Sequence, residues 1–251
     1  MKQVLGMMRR ADERFHMIGD GDKICVGVSG GKDSLLLMKA LTLYQLFSHK
    51  RFTLIGVMLD LGLKAQNVQP IFDYARDIGV PFEVIATDIG KVVFDYKKGA
   101  PKTSTRSAGA YCALCAKLRR GALNRVARER GCNKVALGHN REDVMETLLL
   151  SLLYEGRFNT FAPVTMLERS GITVIRPLIL LPEGHCLSMA KKLGLPVIPP
   201  NCDVAGHTKR EETKRMLLAM QRHVPDLQQK ILHALMGGHE FLHSWEAKTD
   251  D

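Results

Sequence analysis

The chain has 251 residues, of which 45% are hydrophobic and 25% charged, with a formal net charge of +10. The length suffices for a large α/β domain with a full core, and the composition excludes disordered and fibrous classes. The basic excess favours polyanionic partners, no stretch approaches the ~20 apolar residues of a membrane span, and the opening MKQVLGMMRRADERF lacks the apolar core and cleavage site of a secretory leader. A cytosolic location is expected, where the six cysteines read as metal or redox ligands rather than disulfides.

Lys23–Ser29 (KICVGVS) reads as a buried strand, followed by a Gly-Gly turn and a helix over Ser34–Phe47. Phe52–Leu59 is the next strand. Val68, Ile71, Phe72, Ala75 and Ile78 recur at helical spacing, and Gly79 closes that helix. Phe82–Thr87 is a third strand. Lys97–Ser107 holds four basic residues and no acidic one, and reads as a mobile basic loop. A helix over Ala116–Arg130, a strand over Lys134–Gly138, a helix over Asp143–Tyr154 and a strand over Ile172–Ile175 follow. This alternation predicts a Rossmann-like α/β fold, a parallel five-stranded sheet with helices on both faces. Residues 1–178 read as that domain and 179–251 as a helical C-terminal extension, punctuated at Pro182, Pro196, Pro199 and Pro200 and ending in an acidic tail.

Ser29-Gly30-Gly31-Lys32-Asp33-Ser34 joins the first strand to the first of these helices. Two glycines let the backbone bring N–H groups close to an anion, and the helix start adds unpaired donors and a positive dipole end. Ser29 and Ser34 supply hydroxyls and Lys32 a cation, whereas Asp33 suits a Mg²⁺ ion beside a pyrophosphate better than a bare phosphate. The spacing is not that of a Walker loop. Asp60 ends the second strand. Gly138-His139-Asn140-Arg141-Glu142-Asp143 follows the fourth and opens a helix, where Asp143 suits either a Mg²⁺ ligand or a helix cap and His139 either a binding or a structural histidine.

Cys112 and Cys115 form a CxxC, a spacing used by zinc sites, redox pairs and iron–sulfur clusters. A four-cysteine zinc site is disfavoured because there is no second CxxC. Cys25 lies in a strand and, with Cys132 and Cys186, reads as core packing. Cys202, in Pro199-Pro200-Asn201-Cys202-Asp203, is the best third ligand because a proline-fixed loop presents a thiolate without distortion.

With SGGKDS the chain resembles the PP-loop ATP pyrophosphatases. With MIGDGDKICVGVSGGKDS, YCALCAKLRRGAL, VALGHNREDVMETLLLSLLYEGR, VIRPL and VIPPNC it resembles their tRNA 2-thiocytidine synthetase branch over most of its length. Two segments depart from the family pattern: PPNCDVAG stands for its PCxxCG, and GHNRED for its GHxxDD. The resemblance implies an adenine nucleotide alpha hydrolase-like fold and ATP bound through Ser29, Gly30, Gly31, Lys32, Asp33, Ser34, Asp60, Gly138 and His139. It implies Mg²⁺ on Asp33, a [4Fe–4S] cluster on Cys112, Cys115 and Cys202, and catalytic roles for these cysteines, Asp33 and Asp143. The implied reaction adenylates a cytidine C2 carbonyl in the tRNA anticodon loop and replaces its oxygen with sulfur. A sulfur donor such as a cysteine desulfurase, and a homodimer, belong to the same expectation.

Lys117, Arg119, Arg120, Arg125, Arg128 and Arg130 load one helix with positive charge, opposed by Glu129 alone. A solvated helix face is the plain reading. Nearness to the cysteine pair favours phosphate contacts, with Lys117, Arg119 and Arg120 as the RNA-binding candidates. The alternative to tRNA is a small molecule or a protein partner for the same adenylating chemistry.

Overall fold

The computed structural model describes residues 1–63, 65–98, 108–199, 202 and 209–237. Within them the strands are β1 (Lys23–Val28), β2 (Thr53–Asp60), β3 (Phe82–Ala86), β4 (Lys134–Ala136), β5 (Val164–Leu167) and β6 (Ile172–Ile175). The helices are α1 (Lys2–Phe15), α2 (Lys32–Gln45), α3 (Gln69–Asp77), α4 (Ile89–Lys98), α5 (Ala108–Glu129), α6 (Arg141–Glu155), α7 (Glu183–Lys192), α8 (Lys209–His223) and α9 (Leu227–Met236).

The strands form one sheet in the order β3-β2-β1-β4-β6-β5. All neighbours run parallel except β5, which pairs antiparallel with β6 from Val164↔Ile175 to Leu167↔Ile172. The expected parallel α/β sheet is present, but with six strands among the described residues rather than five. The sixth is an edge strand of four residues, VTML, whose apolar signal is too short to stand out before its partner is known. From β1 the chain winds outward through β2 and β3, then returns to place β4 on the other side. The β1–β4 boundary is thus the point where strand order reverses, and parallel sheets open a ligand crevice there, at the carboxyl ends of the strands.

Alternate residues of the central strands feed opposite faces. Ile24, Val26 and Val28 of β1 join the larger core with α1, α2, α3 and α7. Cys25 joins a second core with Val57, Val135, Ile172 and Val174, covered by Leu123, Val126 and Ala127 of α5. Because β1 is covered on both sides, it reads as a continuous apolar run. Helix α2 is buried nearly all round: Leu35, Leu36, Leu37, Met38 and Leu41 are fully enclosed, each contributing roughly 1.5–3 kcal/mol by leaving water. The helix that carries the phosphate loop is therefore deeply anchored in the larger core.

Helix α1 has no counterpart in the sequence expectations. It buries Val4, Met8 and Ala11 on one face together with Asp12. The enclosed Asp12 carboxylate accepts from the Ile18 amide at 2.8 Å, the Tyr44 hydroxyl at 2.6 Å and the Lys50 ammonium. Helix α5 starts at Ala108 rather than Ala116, so the CxxC lies inside a helix. Lys97 and Lys98, expected in a loop, end α4, while the rest of that basic segment and the acidic tail lie outside the described residues. Towards the C-terminus, Ile179, Leu181, Cys186, Ala190 and Leu195 enter the larger core. Helices α8 and α9 pack on α6 through a small separate cluster of Met145, Leu149 and Leu217.

Candidate active site

The loop after β1 is held in shape by its own polar groups. The Ser34 hydroxyl donates to the Gly31 carbonyl at 2.9 Å and accepts from the Ser29 amide at 3.1 Å. The Gly31 amide donates to Ser29 Oγ at 3.3 Å, and the two serine hydroxyls lie 3.2 Å apart. Gly30 has φ +79°, and a Cβ there would meet Ile198 Cγ1 at 2.4 Å. Glycine is required on both counts. Gly31 caps α2 without a side-chain capping bond, so the helix start keeps donors for an anion.

Lys32 Nζ bonds Asp33 Oδ2 at 2.9 Å and Glu183 Oε1 at 3.0 Å. Burial opposes its charge, yet the two carboxylates hold its pKa above the usual lysine range. Asp33 Oδ1 is buried with no hydrogen-bond partner, an open acceptor of the kind a cation fills. The Cys186 thiol lies beside this carboxylate, and burial, the Asp33 charge and a thiol hydrogen bond to Asp33 push its pKa up.

The GHNRED segment stands opposite. A Cβ on Gly138 would come within 2.9–3.0 Å of the backbone of Asp33 and Ser34, so Gly138 admits the phosphate loop itself. Asn140 and Asp143 form a reciprocal capping box at the start of α6. The Asn140 amide donates to Asp143 Oδ2 at 2.9 Å, and Arg210 Nη1 reaches Oδ1 at 3.1 Å. Both Asp143 oxygens are thus engaged in holding α6 and α8, which leaves Asp33 as the carboxylate with an open oxygen. His139 stacks on Phe161 at 4.6 Å between ring centroids, with Arg176 over the same ring at 4.9 Å. Burial, with repulsion from Arg176, Arg210 and Arg120 and against the pull of Asp143, lowers the His139 pKa to about 4, so the imidazole is neutral at pH 7. Asp60 is exposed, and its carboxylate accepts from the Gly62 amide at 2.9 Å, a local turn bond.

Cys112 and Cys115 sit three positions apart on α5 and so share a helix face. Both are half-buried and Cys202 is exposed; all three are free thiols. Burial raises the Cys112 pKa, and Cys202 raises it further. Burial also raises that of Cys115, with Arg119 opposing and Cys202 and Cys112 adding to the rise. The three thiols are therefore within electrostatic reach of one another. Among the described residues no three His, Cys, Asp or Glu side chains are gathered into a finished metal site: the cysteines are brought near but not closed. Leading to Cys202, the Ile198 amide donates to the Gly30 carbonyl at 3.0 Å, and Gln66 Nε2 donates to the Pro199 carbonyl at 2.7 Å. Four residues span at most roughly 14 Å, which bounds the distance of Cys202 from Ile198, the residue bonded to the phosphate loop.

Lys117, Arg119 and Arg120 are exposed on α5 beside the cysteine pair. Arg130 is committed elsewhere, to a two-pronged pair with Glu83 at 2.8 and 2.9 Å. Sequence reasoning overlooked Glu183, Lys214, Arg210 and Arg176. The first three become partners only through folding. Arg176, in the VIRPL segment, had a signal: it directly follows an apolar strand, and although arginine is usually exposed this one is buried, donating to the Ala162 carbonyl at 2.6 Å.

A glycine loop with an open carboxylate at the switch point of a parallel sheet defines a nucleotide-phosphate-binding protein of the PP-loop class. The model of the PP-loop domain matches residues 7–199. The tRNA-cytidine(32) 2-sulfurtransferase of Pelobacter propionicus is 34% identical, the match covering 90% of this chain and 81% of that one. The enzyme of the same name from Geobacter sulfurreducens is 32% identical, over 93% of this chain and 89% of its own. Among solved structures, a U34-tRNA thiolase from Methanococcus maripaludis with its [4Fe–4S] cluster superposes with a TM-score of 0.70 at 22% identity, covering 93% of this chain and 76% of that one. The chain belongs to the PP-loop family and, within it, to the family of the tRNA-cytidine(32) 2-sulfurtransferases.

Proposed function

We propose that the chain is an ATP-dependent tRNA sulfurtransferase that adenylates the C2 carbonyl oxygen of a cytidine in the anticodon loop and replaces that oxygen with sulfur. One observation carries the reading: the segment whose Ile198 amide bonds the Gly30 carbonyl of the phosphate loop leads within four residues to Cys202, the free thiol read as partner to Cys112 and Cys115. ATP chemistry and sulfur chemistry thus share one mouth.

A pyrimidine carbonyl is a poor electrophile because oxide leaves badly. Attack of its oxygen on the α-phosphorus of ATP expels pyrophosphate, and the oxygen can then leave as part of AMP when sulfur adds to C2. For this the loop amides and Lys32 would hold the phosphates and Asp33 a Mg²⁺ ion that offsets charge on the departing pyrophosphate. His139, neutral at pH 7, adds no charge beside the nucleotide. The capping box at Asp143 fixes the α6 start against the loop. Cys112, Cys115 and Cys202 would hold an iron–sulfur cluster. Their donor set fits, because thiolates that repel one another when bare are stabilised by soft iron. Bound there, a [4Fe–4S] cluster with three protein ligands would supply a site for the sulfur to be transferred. Lys117, Arg119 and Arg120 would contact RNA phosphates. A cysteine desulfurase as sulfur donor, a homodimer and a cytoplasmic location complete the proposal. Among the described residues no helix is long and apolar enough to cross a membrane.

The test incubates anaerobically purified protein with unmodified tRNA, MgATP and sulfide, then digests the RNA for mass spectrometry. A thiolated cytidine and one AMP per thiolation are expected. AMP release with a small molecule or a protein as acceptor, and no thionucleoside, would contradict the RNA reading.

A further inference from the structure

The ion pairs around the phosphate loop extend beyond the residues assigned above. Glu183, the first residue of α7, receives Lys32 Nζ at 3.0 Å from one side and Lys214 Nζ at 2.8 and 3.0 Å from the other. Its backbone amide donates to Glu142 Oε2 at 2.7 Å, which ties the carboxylate's position to the GHNRED segment. The side chains of Lys32, Asp33, Glu183 and Lys214 are 23–33% exposed, partly shielded from water and salt. Two ammonium groups face two carboxylates, Asp33 and Glu183, and the set is neutral.

Magnesium-bound triphosphate would break this balance. Asp33 turns to the metal and Lys32 to the phosphates, so Glu183 loses one partner while still half-buried. An unpaired buried carboxylate is costly. Lys214 already holds both of its oxygens. We propose that Lys214 is a positioning residue that takes over Glu183 when Lys32 engages the triphosphate, so that Lys32 is released at little cost. The inference rests on the ATP reading above and goes beyond it by assigning Glu183 and Lys214 a role in nucleotide capture. The electrostatics agree. Against burial, Lys214 and Lys32 together hold the Glu183 carboxyl below the usual carboxylate range. Lys214 is itself held protonated against burial by Glu183, and the Lys32 charge works against it. Removal of Lys32 therefore tightens the bond between Lys214 and Glu183.

Without Lys214, Glu183 would have Lys32 alone and would compete with the nucleotide for it. The test is calorimetric binding of a magnesium complex of the α,β-methylene analogue of ATP to the full chain purified without oxygen. K214M is expected to weaken binding about tenfold, the scale of one partly shielded charged hydrogen bond. K214R should bind within about twofold of wild type, and K214M/E183Q should return to within about threefold, because the competing carboxylate is gone. K214Q repeats the test should K214M fail to fold. A K214M protein that binds like wild type, or a double variant as weak as K214M, overturns the proposal. A wild-type protein that binds no nucleotide overturns the ATP reading itself, and is told apart by the absence of any binding to modulate.

Discussion

The two halves of the site are organised in opposite ways. On the phosphate side, the serine hydroxyls and the Gly31 amide are bonded within the loop, and the following helix is locked into the larger core. On the sulfur side, Cys112 and Cys115 lie in the early turns of α5 and Cys202 is exposed, and no hydrogen bond among the described residues joins the three. The phosphate side is preorganised by the chain alone. The sulfur side takes its final order from what its thiolates bind, as metal-coupled sites do. The difference suits the chemistry: a phosphate cradle works by fixed N–H groups, whereas iron needs ligands able to lose protons and close around it.

This contrast can be broken at several points. The largest effect is expected at Asp33, whose open oxygen is the Mg²⁺ candidate. Asp33→Asn should slow AMP formation on the order of 100-fold while leaving iron and sulfide content unchanged; an unchanged rate in a pyrophosphate-release assay would remove Asp33 from the metal. Next is Gly30→Ala, which puts a side chain at positive φ and against Ile198. A loss of about 2–3 kcal/mol in chemical denaturation is expected, together with weaker nucleotide binding. On the sulfur side, Arg119→Gln should weaken tRNA binding and lower the slope of its salt dependence by about 1. Equal slopes for wild type and variant would take Arg119 out of the interface.

The smallest effect concerns Glu146 on α6, 5% exposed. Burial, against Arg210, pushes its carboxyl up to about 7 from 4.5. A raised carboxyl binds its proton more tightly in the folded state, so its contribution favours folding at low pH and fades as pH rises from about 4.5 to about 7. Glu146→Gln should flatten that fall, with a Tm gain at pH 8 of about 2–4 °C, read by melting at pH 5 and pH 8. Parallel curves would show that the group does not titrate there.

Much of the phosphate half was legible in the sequence because its signals are local. Buried central strands read as apolar runs, and SGGKDS is contiguous. The cysteine pair was legible as well, but the start of its helix was not: Ser107 is a cap-type residue, yet Ser104 and Thr105 offer the same signal and Gly109 weakens the helical pattern that would single out Ala108. Strand β5 needs its partner β6 before four residues can pair as an edge. Asp143 reads from the sequence as a metal or substrate ligand with a helix cap as the alternative, and only the folded positions of Asn140 and Arg210 show both of its oxygens engaged. The Lys32–Glu183–Lys214 set joins residues 151 and 31 positions apart, a separation at which no periodicity or motif carries information.

The central claim, that one mouth serves both adenylation and sulfur transfer, is tested most directly on Cys202→Ala. Wild type and variant would be purified without oxygen and compared for iron, acid-labile sulfide, nucleotide binding and tRNA thiolation. The variant is expected to bind the ATP analogue like wild type, to lose its iron and sulfide or hold them weakly, and to form no thiolated cytidine. A variant that keeps its iron and thiolates tRNA at the wild-type rate would contradict the claim.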